Sequence, residues 1–545
     1  MSDKMPKIKV KIGGIFNATN SKEYPQISLE VQRIIQLNLD VLGLDGTIDI
    51  QFVPTLDHIK INDQRCDYSD HALEQIKRYT DHVGKNRVSN SASFWELLFQ
   101  GVLFKQAAVL FTDDHLEKCL SKCAIQSNSF DEKKQWTSLF KSLLNMHISL
   151  KNKELIARII KSESVLDSMD LLRLKEKLID ELQTNKIDIL VSKKYFQSIT
   201  REDTFSGKDN LFYMMRDGLY YELGITYPDF NLEFADLPNG IVQFRINDQL
   251  TLPMIGIGEN EILVNDTINR LRLMDKDIVG TEIKNPANSN EGTLVDNKYQ
   301  TLVDRENIYK WDAIGYFILL FSKTLRDERA TFVTQSFLQK QLDKLKSYYD
   351  RNIELILNQN PISFLTQVFR SLVAENISIR NIKGICNYLL QNDWIQADES
   401  QHIIFDDRIP TMDLSLTDRK KDTHFALQYV RNNLKQYISH QVTRGQNTLN
   451  VFLLEPEKIE NRIREELEQE LFPSSELHDQ LLLTIDREIK KIASSHKIPS
   501  ILTTSSLRSY VRMLTQYRYP ELTVLSYQEL SPSMNIQPIA RLSLS

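Results

Sequence analysis

The sequence has little of what marks secreted, membrane-spanning or nucleic-acid-binding proteins. Four cysteines in 545 residues are too few for a disulfide framework, which favours a reducing cytoplasm. The longest obvious apolar run, residues 315–321, is far shorter than the roughly 20 residues of a membrane-spanning helix. The basic N-terminus has no apolar segment after it, so we expect no secretory signal.

The chain also has no large excess of positive or negative charge. The chain has 67 basic and 73 acidic residues, a net charge of −6, and no strongly basic domain stands out. This balance argues against nucleic acid as the main partner and against a polybasic membrane surface. The apolar fraction of 41% is enough for sizeable cores, and at about 100–200 residues per domain the length predicts three or four domains.

Catalytic and nucleotide-binding motifs are absent as well. The sequence contains no Gly-x4-Gly-Lys-Ser/Thr, no Gly-x-Ser-x-Gly and no His-Glu-x-x-His. The pair Cys119 and Cys123 favours packing over metal binding, and Asp113-Asp114-His115 favours a solvated helix start over a metal site. We therefore predict no catalytic residue, no metal and no cofactor. A catalytic triad of distant residues stays an open alternative, because triads are not local in sequence.

What is present is an internal similarity. Residues 29–64 and 212–249 each show a periodic helix that ends at Leu-Gly, an alternating strand, a turn and a second strand that ends in Ile-Asn-Asp-Gln. Similar helix–strand–hairpin units could recur by chance. We favour a degenerate duplication because the order and the spacing both match.

Other segments predict the remaining organisation. Residues 284–300 and 395–423 are polar and predict exposed loops, the second with a short strand at 403–405. Between them the apolar spacing predicts helices. In the last 100 residues, a strand at 448–454 and a helix at 457–471 precede a strand–helix–strand crossover over 500–526, which we expect to be parallel.

The C-terminal half resembles the cytoplasmic domain of the FHIPEP family, the export-gate subunit of flagellar and virulence type III secretion systems. Four stretches carry this resemblance, in the family's order: 215–245, Trp311-Asp312-Ala313-Ile314, FLTQVFRSLVAENISIRNIKGICNYL at 364–389, and 501–530 with its Leu507-Arg508. Together they cover roughly residues 205–545. Arg380 matches the family pattern, whereas Asn381 stands where aspartate is usual.

The resemblance and the residue patterns together predict a multidomain α/β and α+β fold. Small mixed-sheet subdomains alternate with helical subdomains, and a βαβ unit closes the chain. We expect an N-terminal α+β region at 1–200, as a degenerate repeat of the subdomains that come after it in the chain. FHIPEP-like subdomains 1 and 2 are expected at 205–340, a helical subdomain at 341–440, and an α/β subdomain at 441–545. Family members begin with membrane helices, and we expect none here.

The family's docking groove between its first two subdomains gives the candidate site residues. Carried over by position, the groove falls at Glu306, Tyr309 and Trp311, and near Ser336 and Phe337. A tyrosine offers apolar area with a polar tip, which suits a reusable protein-binding surface. The competing interpretation is that Tyr309 and Phe337 are buried.

The resemblance implies a non-catalytic platform or adaptor in a type III-like export apparatus of the bacterial cytoplasm. Its expected partners are export chaperones and their substrates, other secretion components, or further copies of the chain in a ring. The alternative is a soluble scaffold in another bacterial assembly with no export role. An enzyme assembled from dispersed residues is the remaining rival.

Overall fold

The computed structural model describes residues 5–13, 24–53, 56, 58–84, 90–123, 125, 130–163, 168–200, 211–288, 290–390, 422–454, 459, 475–492 and 498–543. The strand predicted at 403–405 and nearly all of the helix predicted at 457–471 lie outside these residues.

The first unit, residues 5–182, contains a four-stranded sheet, with one helix between its first two strands and further helices after it. In its first strand Ile8, Val10 and Ile12 are buried and alternate with lysines, which is the pattern of a sheet with one face on the core. The strand order is β2-β1-β3-β4. The strands are β1 (Lys7–Gly13), β2 (Thr47–Val53), β3 (Ile59–Ile61) and β4 (Gln64–Cys66).

The helices of the first unit share one hydrophobic core with that sheet. They are α1 (Tyr24–Leu42), α2 (Asp70–Gly84), α3 (Asn90–Lys105), α4 (Asp113–Cys123), α5 (Phe130–Asn145), α6 (Lys153–Ser162) and α7 (Ser168–Leu182). Residues three and four apart on α1, such as Ile27, Val31 and Ile35, are fully buried, so its sequence period is that of one helix face.

The second unit, residues 187–443, begins with another small sheet, of strand order β6-β5-β7-β8 with β9 beside β7. Its strands are β5 (Ile187–Val191), β6 (Phe230–Phe234), β7 (Ile241–Ile246), β8 (Gln249–Leu250) and β9 (Met254–Ile255), and its first helices are α8 (Lys193–Ile199) and α9 (Leu211–Leu223). Residues 187–200 therefore share a sheet and a core with residues that follow position 211. The four-part division of the chain at fixed boundaries stays a prediction.

A separate four-stranded sheet, the inserted sheet, interrupts the second unit. It contains β10 (Glu261–Val264), β11 (Gly280–Lys284), β12 (Glu291–Asp296) and β13 (Lys310–Trp311), with α10 (Ile268–Met274) and α11 (Gln300–Arg305) beside them. The long loop predicted at 284–300 is wrong, because β11 and β12 form an antiparallel pair here. Asn285 donates its backbone N–H to the carbonyl of Asn290 at 2.8 Å, so the polar, turn-forming residues make one tight connection.

The rest of the second unit is helical, as predicted for this region. The helices are α12 (Ala313–Asp327), α13 (Gln335–Gln359), α14 (Ile362–Ala374), α15 (Ile382–Leu390), α16 (Thr423–Asn433) and α17 (Lys435–Thr443). Apolar residues of α12 and α14 make up much of the largest core, which also includes the sheet around β5.

The C-terminal unit, residues 448–543, has a sheet of order β16-β15-β14-β17. Its elements are β14 (Thr448–Leu454), β15 (Ser500–Thr503), β16 (Val524–Ser526), β17 (Asn535–Leu542), α18 (Ser475–Lys490) and α19 (Ser505–Thr515). Strands β15 and β16 are parallel and α19 connects them, so the predicted crossover is confirmed. The mixed-sheet and helical architecture with a closing βαβ unit is confirmed too.

The first and second units share one topology. In both, the first strand pairs in parallel with the strand after the helix and antiparallel with the next strand. Both units also have a residue with a left-handed backbone just after a helix: His147 (φ 62°) after α5 in the first unit, and Asn376 (φ 61°) after α14 in the second. Just after it, Leu150 donates to the carbonyl of Leu42 at 2.8 Å, and Ile379 donates to that of Leu223 at 2.9 Å. These correspondences are what a duplication would leave, and they support that prediction.

Two glycines make this shared contact possible. Gly43 and Gly224 end α1 and α9 with φ of 74° and 79°, which non-glycine residues adopt at a cost. A Cβ on Gly224 would lie 2.6 Å from the backbone nitrogen of Arg380, and one on Gly43 would meet the backbone of Lys151. Each helix thus ends where a later segment of the same unit passes close to it, at Lys151 for α1 and at Arg380 for α9.

A buried ionic cluster joins the two units. Glu328 of the second unit accepts from Nε2 of His147 at 2.8 Å and pairs with Lys105, both of the first unit. Nδ1 of His147 contacts Oε1 of Gln249 at 2.8 Å, and the imidazole stacks on Phe104 with ring centroids 4.3 Å apart. Burial alone raises the pKa of Glu328, but Lys105 and His147 outweigh it and hold the pKa well below its usual range.

A second buried network joins the second unit to the C-terminal unit. Glu529 accepts from Arg431 at 2.7 and 2.8 Å, and Arg431 and Arg508 also contact the Glu375 carboxylate. Burial raises the pKa of Glu375, but the two arginines lower it to about 2, so the carboxylate stays charged. Buried charges of this kind are tolerated because each has hydrogen-bonding partners of opposite sign.

Replacing Gly224 by alanine is expected to destabilise the protein. The left-handed conformation alone costs an L-residue about 1–2 kcal/mol, and the clash with Arg380 adds to it. Gly218→Ala is the matched control, because Gly218 lies in α9 with nothing within 4 Å of an added Cβ. It should stabilise the helix by about 0.5–1 kcal/mol. Urea midpoints measure both; a midpoint that Gly224→Ala leaves unchanged would contradict the assigned helix end.

Glu328→Gln is expected to lower the free energy of unfolding by about 3 kcal/mol at neutral pH, because it leaves His147 and Lys105 without their carboxylate. Since the folded-state pKa of Glu328 is depressed, its contribution is full above its unfolded value and is lost as the pH falls through the folded value. The difference between wild type and variant should therefore shrink in acid. Glu354→Gln, at an exposed position, is the control. Equal urea midpoints for wild type and Glu328→Gln at neutral pH would refute the role given to this carboxylate.

Candidate functional site

Three of the predicted site residues lie at the end of the inserted sheet. Glu306 follows α11 and is exposed. Tyr309 is 78% exposed, and its backbone carbonyl accepts from the N–H of Asn265 at 2.9 Å. Trp311 in β13 pairs with Leu263 of β10 and packs, half-buried, against the largest core. The backbone of this segment is held by the sheet, while the Tyr309 ring projects to solvent.

The other two predicted residues lie in the first turn of α13. Thr334 caps this helix, and its hydroxyl accepts the N–H of Phe337 at 3.1 Å. Phe337 is half-buried against the largest core. Ser336 faces outward. Among the described residues, no hydrogen bond, ion pair or ring contact joins this pair to Glu306, Tyr309 or Trp311.

The partner of Ser336 is Asp180, on α7 of the first unit. The Asp180 carboxylate accepts from the Ser336 hydroxyl at 2.9 Å and from its backbone N–H at 3.1 Å. Burial raises the pKa of Asp180, and the two bonds from Ser336 oppose that shift. An acid at a helix N-terminus also satisfies N–H groups that the helix itself leaves free. The N-terminal region thus contacts one side of the predicted groove.

A buried ion pair fixes α7 in this position. Both oxygens of Glu176 accept from the Arg370 guanidinium of α14, each at 2.6 Å. Arg370 also donates to the backbone carbonyl of Val333, just before the α13 cap. One turn along α7 from Glu176, Asp180 is therefore held against α13. Sequence reasoning missed Asp180, because its contact joins residues 156 positions apart and depends on how the two units pack.

The residues considered for metal or nucleophilic chemistry have other roles. Both ring nitrogens of His115 are engaged, Nδ1 with Thr112 and Nε2 with the carbonyl of Asp45 at 2.7 Å. Burial raises the pKa of the Cys119 thiol to about 11 and that of Cys66 to about 12, so these thiols are poor nucleophiles at neutral pH. In the part of the chain that the structure describes, no group of three or more His, Cys, Asp or Glu side chains is arranged to hold a metal ion.

The membrane prediction can be examined in the same residues. None of the described helices combines the length and the apolar character needed to cross a bilayer.

The FHIPEP family model matches residues 134–535, most of the chain, starting within α5. The chain belongs to the FHIPEP family. The match begins earlier than the four stretches recognised from sequence and includes α7 with Asp180. The family resemblance predicted from the C-terminal half is thereby confirmed.

Curated relatives of this chain include a low calcium response locus protein and a harpin secretion protein. Low calcium response locus protein D of Yersinia pestis is 25% identical over 338 residues, which are 61% of this chain and 44% of that protein. Harpin secretion protein HrpI of Erwinia amylovora is 25% identical over 337 residues, 61% of this chain and 43% of that protein. The chain thus spans less than half the length of these relatives.

Solved structures show the same fold. The structure of the Chlamydia pneumoniae CdsV and CdsO protein complex contains a chain that matches with a TM-score of 0.55 and 24% identity, over 66% of this chain and 97% of that chain. At this identity the match establishes the fold of the shared part.

The hydrogen bond between Asp180 and the Ser336 N–H should protect that amide from hydrogen exchange. Asp180→Ala should increase hydrogen–deuterium exchange at the Ser336 amide, because this N–H loses its acceptor. Glu181→Ala, at the neighbouring exposed position of α7, is the control and should leave exchange unchanged. Equal exchange in all three proteins would mean that α7 does not cover the start of α13.

Proposed function

We propose that this FHIPEP-family chain is a non-catalytic docking platform of a type III-like secretion apparatus, where it binds export chaperones or their substrates. Three findings support the proposal: the family match over 134–535, the name of the relative harpin secretion protein HrpI, and the engaged or unreactive state of the side chains considered for catalysis. No observation favours the alternative of a scaffold outside secretion.

The observation that carries the site is the exposure of Tyr309 on a rigid segment. A neighbouring strand residue, Trp311, is anchored in the core, and the Tyr309 carbonyl is bonded to Asn265, so the ring is presented on an ordered backbone. A pre-ordered aromatic loses little conformational entropy when a partner covers it. The adjacent Glu306 adds an exposed acid, which suits a partner surface with apolar and basic groups.

We place the centre of this surface at Tyr309 and Glu306, with Trp311 as its support. Ser336 is engaged by Asp180, and Phe337 is half-buried, so this half of the family's groove is less accessible here. A partner that requires Ser336 has to displace the Asp180 carboxylate first. The platform would therefore bind mainly through the inserted sheet.

Further partners are proposed from the same comparison. The related Chlamydia pneumoniae CdsV forms a complex with CdsO, and we propose that this chain also binds other components of its apparatus as well as export cargo. We place it on the cytoplasmic side of the membrane, peripheral to the export complex.

The test is binding of purified chaperone–substrate complexes, encoded with the secretion apparatus of the same organism, to the full chain. Tyr309→Asp should weaken binding by about 2 kcal/mol or more, roughly thirtyfold, because it places a charge where an apolar contact forms. Tyr348→Asp is the matched control, since Tyr348 on α13 is 81% exposed. Titration calorimetry measures affinity, and thermal melts confirm that both variants fold.

Unchanged affinity in Tyr309→Asp would remove the assigned surface. Failure of every such complex to bind the wild-type chain would remove the docking function itself.

A further inference from the structure

Strand β6 lies at the edge of the second unit's first sheet. Among the described residues it pairs only with β5, so a row of backbone N–H and C=O groups faces away from the sheet without a strand partner. Proteins commonly shield such an edge, because it is a template for another strand. Here it carries exposed apolar side chains: Leu232 is 40% exposed and Phe234 is 51% exposed.

The two faces of β6 differ. On one face Asn231 donates to Asp188 at 3.1 Å, and Glu233 accepts from Arg245 at 3.0 Å, so the polar residues are held by the adjacent strands. On the other face, Phe230 contacts Phe212 of α9 with ring centroids 5.0 Å apart, and Phe234 contacts Phe196 of α8 at 5.9 Å. The apolar face of β6 therefore packs against helices at both ends of the strand, while Leu232 and Phe234 remain partly exposed to solvent.

The equivalent strand of the first unit gives an internal comparison. Strand β2 occupies the same edge position, yet its apolar residues Ile48, Ile50 and Phe52 are all half-buried and pack against the core. The exposure of Leu232 and Phe234 is thus not a general consequence of this topology.

The sequence of β6 is complementary to itself. Read antiparallel about Leu232, the strand Phe-Asn-Leu-Glu-Phe places Phe230 opposite Phe234, Asn231 opposite Glu233, and Leu232 opposite Leu232. Aromatic pairs across strands are favourable, and an amide opposite a carboxylate avoids facing two like charges. A two-fold axis through Leu232 satisfies every position, as an isologous interface requires.

We propose that β6 pairs antiparallel with β6 of a second copy of this chain and forms a two-fold symmetric dimer. The pairing satisfies the open strand edge and covers Leu232 and Phe234 in one step. This proposal does not depend on the docking function.

A cysteine at the symmetry axis gives the sharpest test. In the dimer the two Cβ atoms of residue 232 lie about 4.5–5.5 Å apart, so Leu232→Cys should link to itself with a short thiol-reactive cross-linker. Leu250→Cys is the matched control, since Leu250 lies in β8 of the same sheet and is 37% exposed. The native cysteines are buried or half-buried, and wild type gives their background.

The second measurement is light scattering of the full chain over a range of micromolar concentrations. Wild type is expected to show a concentration-dependent dimer. Leu232→Lys should weaken it by about tenfold or more, because two like charges meet at the axis, while Leu250→Lys should not. Hydrogen–deuterium exchange at the amides of residues 231–234 of wild type should also slow as the protein concentration rises. This measurement needs no variant, so it remains informative if Leu232→Lys does not fold.

A monomer at all concentrations, without excess cross-linking of Leu232→Cys over Leu250→Cys, would overturn the proposal. So would a dimer that Leu232→Lys leaves intact. If the β6 edge instead binds an extended segment of another protein, the chain would stay a monomer and Leu232→Cys would show no excess cross-linking.

Discussion

The carboxylate of Glu328 holds the two similar units together. It is buried where the first unit's α3 and its His147 turn meet the second unit, and it pairs with Lys105 and with the imidazole of His147. In the first unit, the residue that likewise follows a long helix and precedes a 3₁₀ helix is Gln106, a neutral residue that donates to the carbonyl of Asp67. A charge therefore appears at this position where the units meet. Because a buried charge without partners is costly, Glu328 favours the observed arrangement of the units, which supplies those partners.

That arrangement determines how the rest of the chain is placed. With the first unit fixed by Glu328, helix α7 lies along α14, and the Glu176–Arg370 pair aligns it there. The β4–α2 segment also reaches the C-terminal unit, where Arg518 pairs with Asp70 at 2.9 Å. The first unit thus contacts both the second unit and the C-terminal unit, and these contacts fix the three units relative to one another.

The first unit contacts some of the residues predicted to form the docking surface. Asp180 engages Ser336 at the start of α13, whereas the Tyr309 ring at the end of the inserted sheet is exposed. Of the five predicted site residues, Ser336 is therefore engaged within the chain, whereas the Tyr309 ring is exposed. The first unit thus covers part of the surface that the second unit presents at the start of α13.

Much of the fold followed from the sequence itself. Alternating Ile8, Val10 and Ile12, the Leu-Gly helix ends and the Asn-Asp turns are local patterns, and their geometry depends on neighbouring residues only. The family resemblance, and through it the position of Tyr309, also came from such patterns. The 284–300 segment misled because turn-forming residues are common to loops and tight hairpins. The Asp180–Ser336 bond, the Glu328 cluster and the open edge of β6 were decided by tertiary structure alone, since each depends on which distant elements come into contact or fail to.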